Sequence, residues 1–342
     1  MQWSTRDKPM FQTVFAPSRE EALRLLEFGR YLWVEGVADK VAAHPQFAPS
    51  ALWRTWAGQT FVGFSLEKIL LQGGHAFPSS IEVEAEEGPT GRFANLRRCL
   101  GTLLTGSVRD RMRAGRDPKH LGAAFKQFYP DAVVCPEHET WFARHPNPYF
   151  RCLEAYLLRE KAPLPARMLE VGAGACVNVA FYHGLNRRMK SIVVDLPETM
   201  FFGYTLLRAV LPDLQILLPH EVGASADPFD ADVVFLLPTQ AGAVPDESVD
   251  FCFNMSSFQE MFIATVNHYL EFMARKLRMG GRLVSVNCEV SRYLDGNALK
   301  NYDLAGYHST ARTQPAPFGT DLMAHVPGLK VIRLEIEKRR PA

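Results

Sequence analysis

Apolar positions in the first fifty residues recur at helical spacing. Ala22, Leu25, Leu26, Gly29, Leu32 and Trp33 share one face, Ser18 and Glu21 have the spacing of a capping box, and Pro45 stops the run. The same period predicts a second apolar helix over Thr60 to Leu71, closed by Gly73 and Gly74. Residues Ile81 to Glu86 alternate and predict a short strand or hairpin arm, and further helices are predicted at Arg92 to Leu104 and Lys119 to Phe128. Cys135 to Pro148 is rich in Pro, His and Glu and has no period, which makes it the expected boundary. A helix over Tyr149 to Glu160 follows, ended by Pro163 and Pro165.

From Arg167 the pattern changes to apolar strands alternating with helices. Strands are predicted at Arg167–Val171, Ser191–Asp195, Asp232–Leu237, Val249–Asn254 and Arg282–Asn287. An alternating last strand over Lys330 to Glu337 suits a sheet edge. The expected architecture is α/β: a mainly helical domain over residues 1–148 that covers the cleft or dimerises, then a Rossmann-like doubly wound sheet over 149–342.

Composition narrows the function classes. The chain has 342 residues, 47% hydrophobic and 22% charged, enough for a core that needs no covalent staples. A net charge of +1 provides no field for nucleic acid or an anionic membrane, so neither is an expected partner. The basic run from Arg109 to Arg116 has no interleaved aromatics and reads as a solvated helix face. None of the six cysteines stands in a Cys-x-x-Cys spacing, and they read as reduced, buried thiols of a cytoplasmic protein. Residues Met1 to Met10 lack an apolar signal core, and no apolar run approaches a membrane span.

The chemistry concentrates after the first strand of the second half. Met168-Leu169-Glu170-Val171 runs directly into Gly172-Ala173-Gly174, and a helix pattern starts at Val177. The glycines permit a tight turn and close approach of a ligand, and the helix start offers free N–H groups. The next strand ends at Asp195, 21 residues past Gly174, where nucleotide-binding sheets place an acid for ribose hydroxyls. Val177 stands where a third glycine would complete G-x-G-x-x-G, and Glu170 would repel a pyrophosphate. Both points favour S-adenosylmethionine, with its ammonium and sulfonium, over a dinucleotide.

These residues support a resemblance. Glu170-Val-Gly-Ala-Gly resembles the first motif of class I methyltransferases, Val193-Val-Asp195-Leu-Pro-Glu their second, and Leu277 to Val284, with Gly280 and Gly281, the approach to their fifth strand. Asp195-Leu-Pro-Glu and the stretch from Asn254 to Met261 are similar to sugar O-methyltransferases and aminosugar N-methyltransferases of natural-product pathways. The resemblance covers about Tyr149 to Glu337. It implies that Glu170, Gly172, Ala173 and Gly174 hold the amino-acid end of S-adenosyl-L-methionine, and that Asp195 and Leu196 hold the adenosine. It places Gln240 near the adenine and Asn254 near the methionine portion, with S-adenosyl-L-homocysteine as product.

The sulfonium is an activated donor, so a hydroxyl acceptor needs alignment and a base. The first candidate is Glu260, which follows the fourth strand of the sheet; Ser257 and Glu260 also have capping-box spacing, which would make Glu260 a helix-start residue. Gln259 is a candidate hydrogen-bond donor, and His268, seven residues past Met261, is either a base or a packing histidine. His183 reads as structural. Glu137, His138, Glu139 and His145 form the one dense His/carboxylate group; without an i, i+4 pair it reads as a loop, no metal is expected, and His138 remains a substrate-contact candidate. Asn287 and Tyr302 are further substrate candidates. Phe258, Met261, Phe262, Thr265, Tyr269, Met273 and Leu277 read as a core stripe. The expected activity is methyl transfer to a hydroxyl or amine of a sugar-containing small molecule, in a possible homodimer. The rivals are nucleic-acid or protein methylation, a catalytically silent cofactor-binding module and an NAD-dependent oxidoreductase.

Overall fold

The computed structural model describes residues 11–15, 17–44, 46–47, 50, 61–64, 69–73, 164–223, 227–291, 294–316 and 330–341. The expected strand at 81–86, the helices at 92–104, 119–128 and 149–160, and the boundary at 135–148 lie outside them.

The first helix forms as its sequence predicts. In α1 (Arg19–Gly29) the Ser18 side chain accepts from the Glu21 N–H at 3.2 Å, and the Glu21 carboxylate accepts from the Ser18 N–H at 3.1 Å. A π-helical turn (Arg30–Val34) and α2 (Val37–Ala43) continue the chain beyond α1. The helix expected over Thr60 to Leu71 is absent. In its place β2 (Phe61–Phe64) and β3 (Ile69–Gly73) pair antiparallel, and β1 (Phe11–Phe15) joins the other edge of β3. Short apolar runs do not distinguish helix from buried strand, and Phe61, Val62, Phe64 and Ile69 are strand formers. The N-terminal half thus holds helices as expected and a three-stranded sheet besides.

The second half is an eight-stranded sheet with helices on both faces. Its elements are β4 (Arg167–Val171), α3 (Val177–Leu185), β5 (Lys190–Val194), α4 (Pro197–Val210), β6 (Ile216–Leu217), β7 (Val233–Leu236), β8 (Val249–Met255), α5 (Ile263–Lys276), β9 (Leu277–Cys288), β10 (Arg312–Pro315) and β11 (Val331–Glu337). The order is β10-β11-β9-β8-β4-β5-β7-β6. All neighbours from β9 to β6 are parallel, and β11 runs antiparallel between β9 and β10. The last strand is therefore interior; β10 occupies the edge predicted for it. Its charged and polar residues, Arg312-Thr-Gln-Pro315, are mostly exposed and carry no apolar alternation to announce a strand.

The near-continuous burial of β4, β5 and β7 is that of a parallel sheet covered on both faces. α3 and α4 cover one face and α5 the other. Of the predicted stripe, Tyr269, Met273 and Leu277 are buried, whereas Phe262 precedes the helix and is 45% exposed. From β4 the chain winds outward through β5, then returns to β8 on the other side of β4. The carboxyl ends of β4 and β8 therefore flank a switch point, where open α/β sheets bind ligands.

The segment 17–47 is tied to both faces. Glu21 pairs with Arg208 of α4 at 2.6 Å, Arg24 pairs with Glu221, and the Phe28 ring lies 4.8 Å from that of Phe201. Phe47 packs 5.9 Å from Tyr269 of α5.

Candidate cofactor-binding site

The glycine turn is built as the sequence suggests, and its two glycines do different jobs. Gly172 has φ +70°, and its N–H donates to the Val194 carbonyl at 2.9 Å. A Cβ there would lie 2.6 Å from Cβ of Ser257 and closer still to its hydroxyl. Gly172 is thus required by the protein's own packing as well as by its backbone angle. Gly174 has φ +56°, and a Cβ on it would meet nothing within 4 Å. Its freedom is needed for the turn, and the space beside it is open. Ala173, between them, is half-buried against the core.

Three carboxyl groups gather on this side of the turn. Glu170 is fully buried, and Oε1 accepts from Asn178 Nδ2 of α3 at 2.7 Å. Its Oε2 and the Asn178 Oδ1 are buried with no hydrogen-bond partner. Burial pushes the Glu170 carboxyl up to about 8; the Asn178 bond opposes this and the Asp195 charge adds to it. Asp195 follows β5. Its Oδ2 accepts from the Gly174 N–H at 2.6 Å and its Oδ1 from the Leu196 N–H at 2.7 Å, so one carboxylate ties the glycine turn to the start of α4. Burial pushes it up to about 6, against those two hydrogen bonds. Glu198, in the first turn of α4, is raised by burial and hydrogen-bonds only its own N–H. None of the three forms an ion pair among the described residues, which is unusual for buried acids. Leu196, the residue before α4, packs half-buried against the same core.

The carboxyl end of β8 is closed by a polar network. Asn254 donates to the Val171 carbonyl at 2.7 Å and to Ser257 Oγ at 2.5 Å. Its Oδ1 accepts from Asn287 Nδ2 at 2.8 Å. Asn254 is thus buried beside the glycine turn with its amide committed to the protein. Asn287 is equally buried and also donates to Ser285. Gln259 is buried, and its Oε1 accepts from the Cys288 N–H at 2.9 Å. Tyr302 is buried edge-on to Phe258, with ring centroids 6.1 Å apart. Gln240 lies on the turn after β7, held by the Leu237 N–H at 3.0 Å and by its own donation to the Pro219 carbonyl at 2.9 Å.

Glu260 is half-buried at the end of a 3₁₀ turn (Phe258–Glu260). The Ser257–Glu260 capping box is not formed: the Ser257 hydroxyl turns to the Val171 carbonyl, at 3.3 Å. His268 lies on α5 against the Phe47 ring, 5.3 Å away, and burial lowers its pKa. His183 is buried 2.9 Å from Ser191 Oγ, and burial lowers its pKa to about 3, so it is a neutral packing group. His138 and the Glu137–Glu139 group lie outside the described residues. Among the described residues no cluster of His, Cys, Asp and Glu could hold a metal, and no helix is long and apolar enough to cross a membrane. Cys176, Cys252 and Cys288 are buried.

Sequence reasoning missed Asn178 and Asn297, and read Ser257 only as a helix cap and Glu198 only as part of a motif. Asn178 had a signal: it is the polar residue in the first turn of an otherwise apolar helix, eight positions after Glu170. Asn297 had none, because its role depends on partners 36 and 39 residues away.

The chain has a Rossmann-like, doubly wound α/β fold with a glycine turn and buried acids at its switch point. No protein-family model and no curated protein matches it. Among solved structures it is similar to the N-methyltransferase NodS from Bradyrhizobium japonicum WM9, at 11% identity over 57% of this chain and 98% of that one, with a TM-score of 0.40. It is also similar to a geranyl diphosphate C-methyltransferase from Streptomyces coelicolor A3(2), solved with Mg2+, geranyl diphosphate and S-adenosyl-L-homocysteine: 14% identity, 57% and 80% covered, TM-score 0.37. The YcgJ protein from Bacillus subtilis gives 13% identity, 56% and 99% covered, and a TM-score of 0.36. Likenesses this distant carry no activity with them, and what the crevice binds is argued from its own residues.

Proposed function

We propose that this chain is an S-adenosyl-L-methionine-dependent methyltransferase acting on a hydroxyl or amine of a sugar-containing small molecule. One observation carries the cofactor: Glu170, two residues before the glycine turn, and Asp195, bonded to the Gly174 N–H, form no ion pair among the described residues, and Glu170 Oε2 is buried without a hydrogen-bond partner. A pyrophosphate would be repelled there, whereas an ammonium would satisfy Glu170 Oε2 and Asn178 Oδ1 together. The donor set thus fits the amino-acid end of S-adenosylmethionine. Glu170 and Asn178 would hold it, and Asp195 would accept from the ribose.

When bound, the cofactor supplies an electrophilic methyl group on sulfur. The chain's own residues then have two tasks. Glu260 ends the turn at Phe258–Glu260, and its neighbours in sequence, Ser257 and Met261, both approach Gly172, which supports a place for the acid near the glycine turn. Glu260 would accept the proton of an acceptor hydroxyl as its oxygen takes the methyl carbon and the carbon–sulfur bond breaks, with S-adenosylhomocysteine as the leaving group. An amine acceptor needs only its neutral form and less help from Glu260. The sugar class rests on the resemblance of Asp195 to Glu198 and Asn254 to Met261 to sugar methyltransferases.

Titration calorimetry tests the cofactor: S-adenosylhomocysteine should bind and NAD should not, and the reverse would end this reading. Radiolabelled methyl transfer to candidate glycosides tests the acceptor. Glu260→Gln should abolish O-methylation while sparing S-adenosylhomocysteine binding; full retained turnover would remove it as the base.

A further inference from the structure

The N-terminal segment changes sides of the sheet. Leu32 and Val41 are buried in the core on the face of α3 and α4, whereas Phe47 is buried in the core on the face of α5. The six residues from Val41 to Phe47 reach about 20 Å at most, roughly one packed layer on either side of a sheet. That is too short for a detour round a sheet edge or past the amino ends. The contacts put the crossing at the carboxyl ends. Trp33 stacks on Phe201, in the first half of α4, the helix that descends from the carboxyl end of β5. Tyr31 lies 6.1 Å from His220, which follows the carboxyl end of β6. Phe47 lies 5.3 Å from His268, in the half of α5 nearer the carboxyl end of β8. The crossing element is therefore α2, at the end of the sheet that holds the glycine turn. Val37 and Ala38 of α2 pack half-buried on the same core cluster as Ala173 and Leu196.

This element is lightly held between firm anchors. Val41 is its one buried side chain, and Asp39 and Lys40 are exposed and form no ion pair among the described residues. Gly36, just before it, has φ +68°, and a Cβ there would meet nothing within 4 Å. A segment with so few buried contacts opens locally while its ends stay attached. We infer that Glu35 to His44 form a strap over the cofactor crevice, hinged at Gly36 and pinned by Phe47, which swings aside to admit the cofactor and closes to hold it. This rests on the cofactor reading above. Strap opening then limits both entry of the cofactor and departure of the product. The competing role for α2 is fixed packing, which needs no ligand.

Hydrogen exchange and binding kinetics separate these roles. The probe is S-adenosylhomocysteine, added to the full chain, with binding read by calorimetry. At saturation, amide exchange over Lys40 to His44 should slow about tenfold or more, while exchange over Leu25 to Gly29 in α1 should not change. Phe47→Ala removes the pin, so association and dissociation of S-adenosylhomocysteine should both become about tenfold faster or more, because a gate slows both directions. If the probe binds and exchange over Lys40 to His44 is unchanged, the inference is overturned and the cofactor reading stands. Equal slowing in α1 and α2 also overturns it, because the whole fold would then be tightening. A folded Phe47→Ala with wild-type rates, or with faster dissociation alone, overturns the gate. If that variant does not fold, exchange in the wild type decides. If the wild type does not bind S-adenosylhomocysteine, the cofactor reading fails and takes the inference with it.

Discussion

At the scale of single residues, Glu170 makes a prediction whose sign is fixed by its burial. Its ordinary value of 4.5 rises to about 8 in the fold, so the folded state keeps a proton that the unfolded state has lost. The stability this contributes is complete below about 4.5 and is lost as pH rises to about 8. His183 works in the opposite direction but in another window: it falls from 6.5 to about 3, so its contribution is present above 6.5 and lost as pH falls. Asp195, raised from 3.8 to about 6, is silent above that range. Between pH 6.5 and 8 the slope therefore belongs to Glu170. The ligand-free melting temperature should decline across that window, and Glu170→Gln should flatten the decline. A wild-type profile that stays level there would contradict the buried neutral carboxyl. An ammonium bound at Oε2 would reverse the preference and release a proton. Calorimetric enthalpies of S-adenosylhomocysteine binding at pH 7 should accordingly depend on the buffer's ionisation enthalpy, with close to one proton released.

The two glycines of the turn provide a second residue-scale prediction. Gly172→Ala drives a methyl into Ser257 and holds an L-residue at positive φ, which should cost roughly 2–4 kcal/mol in urea unfolding. Gly174→Ala meets no atom, so only the backbone strain remains, about 1 kcal/mol. Adding Ser257→Ala should recover part of the first loss and none of the second. Equal costs at both positions would mean that Ser257 does not press on the turn.

At the scale of elements, the 3₁₀ turn that carries Glu260 is held by two backbone bonds of its own and by side chains from elsewhere. Asn297 donates to the carbonyls of Phe258 and Met261, at 2.7 and 2.6 Å; Ser291 Oγ donates to the Gln259 carbonyl at 2.5 Å; and Asn287 Oδ1 accepts from the Gln259 N–H at 3.3 Å. Asn297→Ala would strand the Met261 carbonyl and leave that of Phe258 with only the Met261 N–H, costing roughly 1–3 kcal/mol by denaturant titration. A loss below about 0.5 kcal/mol would show that water replaces the amide. This network also shows where sequence reading stops. Most strands of the parallel sheet were legible because buried runs such as Val233–Leu236 are bounded by turn residues; the two-residue β6 was too short to show, and the Ser18 box was legible because both its members lie within four residues. The antiparallel pair of β2 and β3 was not, because a short apolar run satisfies two periods. Ser257 and Glu260 had the spacing of a cap, but a stronger partner, the Val171 carbonyl 86 positions away, took the hydroxyl.

At the scale of the molecule, the glycine turn and its acids were legible because they are contiguous in sequence, whereas the placement of the N-terminal segment was not. No local pattern says that α1 will lie on α4 or that Phe47 will reach α5. The structure makes that segment part of the sheet's own core. Phe28 is fully buried between Phe201, at 4.8 Å, and His220, at 5.6 Å, and Trp33 stacks on Phe201 at 5.4 Å with the rings 8° from parallel. Phe201 sits one helical turn past Pro197, so this packing backs the start of α4, which Asp195 ties to the glycine turn. Phe28→Ala should then do two things. It should cost about 3–5 kcal/mol of global stability. It should also leave tryptophan fluorescence and far-ultraviolet circular dichroism unfolding in one coincident transition, since the segment and the sheet share a core. If the fluorescence change instead separates to lower denaturant while the dichroism transition stays in place, α1 is an appendage. S-adenosylhomocysteine affinity should then be indifferent to Phe28→Ala, where a shared core predicts that it weakens.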